Sequence, residues 1–424
     1  MNCLRILAAI LLVSAIAVSS RAAVFSGRLG LSSYLWERSE VDSSDTRHWQ
    51  NVGSASLRLD RIAGRDIEIC TSLRGRYDVR NAGDNLDDYC LYNLQARWRD
   101  IGQVADLTAG RHLVPWPAGA VSIDGASAVV RPWRGFDVAG YIGLVAPEDG
   151  RFKVQTAHEG RAFGAQLGYH SRMSGSVALF FAELHRVRFY GPFEVNNLAY
   201  RTVGLDWRRP VARFGSLYGQ FTYETPTQRI GRVHLSARWQ ATPKVAINGQ
   251  FRYRRPHIPY NSIFWVFGEA RYYEGRLRTN VRLNENWSAN VGGAYVDLVE
   301  GHILRYDLGV AHRHFDLTLH AQSGKTGSTF GVSGEALYPV NSRWTVRGGT
   351  RYDSYDISED QAEANIASSW WAGVRWNWLP ESTLDLEGQF LTQNIKTLTS
   401  FAGDKSDFRI VARISWWFFQ RLDG

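Results

Sequence analysis

Residues 408–419 read FRIVARISWWFF. Phe408, Ile410, Ala412, Ile414, Trp416 and Phe418 fall on one side of an extended chain, and Arg409, Val411, Arg413 and Ser415 on the other. A period of two belongs to a strand with one apolar face and one wet face. The same pattern recurs upstream. Val245, Ile247, Gly249, Phe251 and Tyr253 alternate with Ala246, Asn248, Gln250, Arg252 and Arg254, and Leu277, Thr279, Val281 and Leu283 alternate with Arg276, Arg278, Asn280 and Arg282. Segments 314–322, 327–338, 343–355 and 382–395 follow suit. Each reaches the ~9–11 residues that a tilted strand needs to cross hydrocarbon.

Composition agrees with this reading. The 424 residues include 16 Trp, 19 Tyr and 40 Gly but only 2 Met and 12 Pro, a balance suited to strands, tight turns and aromatic anchors. Mean hydropathy is −0.28, because apolar residues are interleaved with polar ones. The chain opens on Arg5, an apolar run over 6–18 and Ser20-Arg21-Ala22, which together read as an export signal cleaved after Ala22. Residues 1–22 are therefore assigned to a signal peptide and 23–424 to one domain. Beyond Ala22 no apolar run approaches the ~20 residues of a membrane helix. Loss of Arg5 and Arg21 takes the net charge from +8 to +6, still basic. No nucleic-acid module accompanies that charge, so anions, glycans and lipid are the expected partners.

Connections alternate in length. Short ones are expected at 99–103, 171–175, 208–213, 241–244, 284–286, 339–342 and 379–382. Long polar ones are expected at 37–47, 79–88, 114–125, 147–161, 188–196, 255–270, 354–364 and 396–407. Trp98, Trp133, Trp207, Trp239, Trp287, Trp344 and Trp378 all sit beside short connections. Indole settles at the headgroup level, so seven at one end of their strands describe a single belt. The predicted fold is all-β: one transmembrane antiparallel up-and-down barrel of about 22 strands, within a range of about 18–24. Short turns lie on the periplasmic side and long loops outside. The count takes 255–272 as one long connection.

The inward face is polar, so the lumen is wet. Arg232, Arg238, Arg252, Arg254, Arg276, Arg278 and Arg282 fall inward on three consecutive strands, with His234 among them, and Arg74, Arg76 and Arg97 form a second group. Asp307, Asp316, Glu335, Asp385 and Glu387 gather later. The arginines are either a stripe that concentrates anions or one side of a charge balance across a wide bore, and sequence leaves both open. Two long connections are candidate constrictions: 112–124, with Trp116 and Asp124-Gly125 as a turn signal, and 255–272, with His257 and Tyr260. Cys70 is expected to face the lumen and Cys90 lipid, which neighbouring strands do not easily bridge without a bulge or register shift.

No catalytic, haem or phosphate-cradling motif is present. His312-Arg313-His314 lies at a tight turn where neighbouring side chains diverge, and no metal or other cofactor is expected. Glu183, His185 and His158 form no recognisable catalytic set, so an enzyme is not expected.

In this alternation the mature chain resembles the broad class of bacterial outer-membrane barrels, including porins and export channels. The stretch with Arg252, Arg254, Arg276, Arg278 and Arg282 is similar to what alginate-export-type barrels present to acidic polysaccharide. Ala109-Gly110-Arg111-His112 followed by Asp124-Gly125 is similar to segments of such barrels. The resemblance implies outer-membrane lipid and lipopolysaccharide around the barrel, assembly by the barrel-assembly machinery, and a small hydrophilic solute or glycan in the lumen. Such barrels commonly end on an aromatic, whereas here Phe418-Phe419 is followed by Gln420 to Gly424. The expected function is a channel. The other reading is a sheath around a protein partner such as an electron-transferring cytochrome.

Overall fold

The computed structural model describes residues 23–38, 46–79, 88–171, 173–190, 193–211, 214–255, 271–299, 301–325, 327–356, 364–395 and 403–422. The expected signal peptide, 1–22, lies outside them. The first strands are β1 (Ala23–Arg38), β2 (Thr46–Asp60), β3 (Ile67–Asp78), β4 (Asp88–Ile101), β5 (Ala105–Val114), β6 (Val121–Trp133), β7 (Phe136–Val145) and β8 (Gly160–Ser171). There follow β9 (Gly175–Tyr190), β10 (Phe193–Val211), β11 (Gly215–Glu224), β12 (Arg229–Thr242), β13 (Val245–Arg254), β14 (Tyr272–Arg282) and β15 (Trp287–Leu298). The last are β16 (Gly301–His312), β17 (Phe315–Gly324), β18 (Thr329–Pro339), β19 (Trp344–Tyr355), β20 (Asn365–Leu379), β21 (Ser382–Ile395) and β22 (Gly403–Leu422). Each strand pairs antiparallel with its sequence neighbours. β1 pairs with β22 from Ala23↔Leu422 to Arg38↔Asp407, closing a 22-stranded barrel.

Closure fixes which residues share a face, because ladder partners point to the same side. Leu29, Leu31 and Leu35 pair with Trp416, Ile414 and Ile410, as residues 408–419 imply. Around the wall Ile142, Leu167, Leu179, Leu235, Leu277, Val291 and Leu308 stay exposed on this outer face as an apolar band. All seven belt tryptophans share it, each next to a connection between an even strand and the following odd one. Turn chemistry places two of them. Asn284 Oδ1 accepts from the amides of Asn286 and Trp287, and Asn341 Oδ1 accepts from Arg343 and Trp344. Side-chain-capped turns of this kind start the next strand at a defined residue. Trp344 then stacks on Trp376 with centroids 5.2 Å apart. At the other rim, outward Tyr77, Tyr295, Tyr306 and Tyr352 are exposed, a second aromatic girdle that the sequence reading did not single out.

Two expectations need correction. The long connection expected at 188–196 is largely strand: β9 runs to Tyr190 and β10 resumes at Phe193. Cys90 does not face lipid. The β3–β4 register shifts between Ser72 and Leu73, so Tyr92 is the extra residue and Cys90 comes opposite Arg74 on the inner face. Cys70 is also inward, opposite Gln95, but lies four residues from Arg74 along β3, roughly 13 Å. No disulfide joins the two cysteines.

The face assignment has a direct test. Leu277→Arg, at the middle of β14 on the outer face, is expected to destabilise the barrel by about 2–4 kcal/mol in reversible unfolding from vesicles. Gln250→Glu, which pairs with inward Arg276, is expected to leave it within about 1 kcal/mol of the wild-type value.

Candidate functional site

The seven arginines fall on one face of β12, β13 and β14. Arg232 pairs with Arg254, His234 with Arg252 and Arg238 with Asn248, while Asn248 and Gln250 pair in turn with Arg278 and Arg276. Arg282 ends the series beside Lys244, whose carbonyl accepts from its amide. This face lies opposite exposed Leu235, Phe251 and Leu277 and therefore lines the lumen. From the Tyr272 row to Arg282 the series covers ten steps of strand, roughly 33 Å.

Partners divide these arginines into two groups. Arg278 donates to Asn290 Oδ1 (3.2 Å) and Asp307 Oδ2 (2.9 Å), Arg276 lies 3.4 Å from Glu274, and Arg232 donates to Gln220 (3.2 Å). Arg238, Arg252, Arg254 and Arg282 form no ion pair among the described residues. Arg232 and Arg254 are cross-strand neighbours on this face, and Glu274 lies opposite Arg252.

The wall made by β19, β20 and β21 is balanced internally. Arg347 meets Glu387 (2.9 Å) and Asp385 (3.7 Å), Arg375 meets Asp385 (2.8 Å), and Arg351 and His320 share Asp353 (2.6 and 2.7 Å). These acids are engaged by their own wall and do not cancel the stripe. Asp316 and Glu335 pair with each other across β17–β18, near the short-turn end.

The inward-folding segment is residues 115–120, between β5 and β6. Trp116 donates from Nε1 to the Phe181 carbonyl (3.1 Å) and sets its ring edge-on to Tyr141. It closes a buried inner cluster of Val114, Val121, Ile123, Tyr141, Val145 and Ala162. Small residues on the neighbouring strands make the room. A Cβ on Gly164 would lie 2.4 Å from the Tyr141 ring, and one on Gly204 would lie 2.2 Å from Phe180. At its far end Pro117 O accepts from Gln220 Nε2 (3.0 Å), while Gln220 Oε1 accepts from Arg232. The segment thus spans from β5 to the first arginine of the stripe and stops there. Gln220 carries no motif, and only its inward parity on β11 marks it in the sequence.

Asp124 is not part of a constriction. It lies within β6, opposite Arg111, which binds it through Nε and Nη2 (both 2.7 Å), on the outer face with Leu107 and Leu113. Asp124-Gly125 is no turn either: a Cβ on Gly125 would sit 2.2 Å from the Ile142 carbonyl, so the glycine permits close strand approach. His257 and Tyr260 lie outside the described residues. Glu183 binds His185 (2.7 Å) and Arg201 (2.5 Å), and its register with Phe163 puts the three on the outer face, away from the lumen. His312 packs on Trp287, and His314 Nδ1 lies 3.3 Å from the Leu337 carbonyl.

No family model matches the sequence, and no curated protein matches it. Several solved structures share the fold at low identity. Pseudomonas aeruginosa OccK2 (OpdF) is 10% identical, covers 93% of this chain and 98% of its own, and superposes with a TM-score of 0.46. Acinetobacter baumannii OccAB4 is 10% identical, with 95% and 100% covered and a TM-score of 0.45. The P pilus usher (PapC) translocation pore is 7% identical, with 93% and 99% covered and a TM-score of 0.47. These likenesses concern barrel architecture alone.

Proposed function

We propose that this chain is an outer-membrane channel that passes small hydrophilic solutes and favours anions, including acidic glycans, along the arginine face of β12–β14. The observation that carries the reading is the excess of arginine on one continuous inner face, where Glu274, opposite Arg252 and beside Arg276, is the one acid of β12–β14 against seven arginines, and Arg238, Arg254 and Arg282 form no ion pair among the described residues. A wet lumen lined by one sign of charge raises the local concentration of the opposite ion over roughly a Debye length, ~8–10 Å at physiological salt. Guanidinium suits a transit site because it binds carboxylate or phosphate in its planar fork and is weakly hydrated. Successive arginines offer sites that share the anion, so binding at each stays weak enough for release. The reading assigns no reaction to the chain. It takes 1–22 as the cleaved export signal, and lipid, lipopolysaccharide and the assembly machinery as the partners of the outer wall.

The inward segment favours a channel over a sheath. A barrel that encloses a second protein needs a lumen free of its own chain, whereas residues 115–120 here narrow it from one side. The path left open runs beside the arginines.

Two recordings in planar bilayers test this. In a salt gradient the wild-type barrel is expected to show an anion-selective reversal potential. Replacing Arg238, Arg252 and Arg254 together by Gln is expected to bring it close to the value of a non-selective pore. A cation-selective or unselective wild-type pore contradicts the proposal. Separately, Trp116→Ala is expected to raise single-channel conductance, since it removes the hydrogen bond to Phe181 and the half-buried ring that packs on Tyr141 and so frees the segment. Gln220→Ala, which removes only the far anchor, is expected to raise it less and to increase open-channel noise.

A further inference from the structure

The barrel wall has a seam. The β4–β5 ladder ends at Leu94↔Arg111, although β4 runs on to Asp88 and β5 to Val114. Above that point β4 pairs only with β3, and the bulge at Tyr92 lies at this height. The open edge of β4 is met instead by the β7–β8 connection, which has crossed the ends of β6 and β5 to reach it. Leu91 N donates to Gly150 O (2.7 Å), and Cys90 Sγ lies 3.2 Å from Asp149 O.

Two arginines hold this strap, one from each face of the wall. Arg111, 5% exposed on the outer face, donates to the carbonyls of Leu91 (3.3 Å), Arg151 (2.8 Å) and Lys153 (2.7 Å) while Asp124 fixes its fork. Arg186, inward on β9, pairs with the exposed carboxylate of Glu148. Cavities flank the strap. On the lumen side about 340 Å³ is bounded by Val121, Val145, Leu184 and Tyr200, with Arg186 at its edge. Beyond the strap about 380 Å³ is bounded by outward Leu73, Tyr77 and Tyr89 and by Phe152, with Arg74 and Arg76 behind. Both fall in the roughly 300–1,000 Å³ range of small-ligand sites.

We propose that the seam is a lateral passage for an anionic single-chain amphiphile between the lumen and the half of the bilayer next to the long connections, with residues 147–153 as its gate. Apolar walls on both sides accept the chain. An anionic headgroup arriving at Arg186 displaces Glu148, which removes the inner hold and leaves Arg111 as the pivot. The route needs only that the barrel spans a membrane and is separate from anion passage along β12–β14.

The test locks and unlocks one molecule. A Cβ on Gly150 would sit 2.9 Å from Cys90 Cβ and 3.3 Å from its Sγ, closer than the ~3.5–4.5 Å of a disulfide, and Gly150 has φ +70°, so the bridge requires the strap to shift slightly outward from β4. Gly150→Cys is made with Cys70→Ser, and the full chain is reconstituted in vesicles and supplied with a dansyl-labelled medium-chain fatty acid. Reduced protein is expected to speed probe entry into the bilayer above protein-free vesicles. Oxidation is expected to abolish that gain, and reductant to restore it, with ion conductance unchanged. Equal transfer in both redox states of protein whose 90–150 disulfide is verified by mass spectrometry, or no transfer above background by the wild-type chain, overturns the proposal.

Discussion

A peptide group in hydrocarbon has no water to bond, so each N–H and C=O of a spanning segment must find another segment. Sheets meet that demand only by closing, and the β1–β22 ladder is where this chain does so. The rest of the structure depends on it. Once closed, every strand is bound to a period of two, one side committed to lipid and the other to the lumen. A charged residue within the lipid-facing wall is costly unless it is paired, and Arg111 is paired with Asp124.

The inner face escapes that constraint and becomes the place where sequence is free to write function. Around much of the wall that freedom yields local ion pairs, as where Arg347 and Arg375 enclose Asp385. On β12–β14 it sets seven arginines against one acid of the same strands, Glu274. Between β6 and β10 it is spent on small residues and aromatics, which let residues 115–120 pack against the wall instead of standing in water. The segment and the arginine face meet at Gln220, bonded at one end to Pro117 and at the other to Arg232. Residues 115–120 and the first arginine of that face are thus joined through one glutamine.

Where the local pattern decides the outcome, the sequence was a sufficient guide. The all-β class, the strand count and the antiparallel order closed by β1 and β22 all follow from alternation and turn length. It failed where an outcome depends on a single inserted residue or on distant partners. One bulge at Tyr92 reverses the face of Cys90, and nothing in residues 88–93 announces it. Trp116 finds its partners 65 and 25 residues away, at Phe181 and Tyr141, and Pro117 finds Gln220 at a separation of 103. Asp124-Gly125 has the letters of a turn, yet the glycine serves a strand–strand contact that only the neighbouring Ile142 carbonyl reveals.

The central claim is that one face of β12–β14 is wet and positive while the other is buried in lipid. Its most direct test is the rate at which membrane-impermeant thiol reagents of opposite charge modify single cysteines, in a background with Cys70 and Cys90 replaced by Ser. Gln250→Cys, among the arginines, is expected to react faster with an anionic thiosulfonate than with a cationic one, and the difference is expected to shrink with added salt. Leu277→Cys on the opposite face is expected to react with neither. A faster cationic reaction at position 250, or equal reactivity at both positions, contradicts the account.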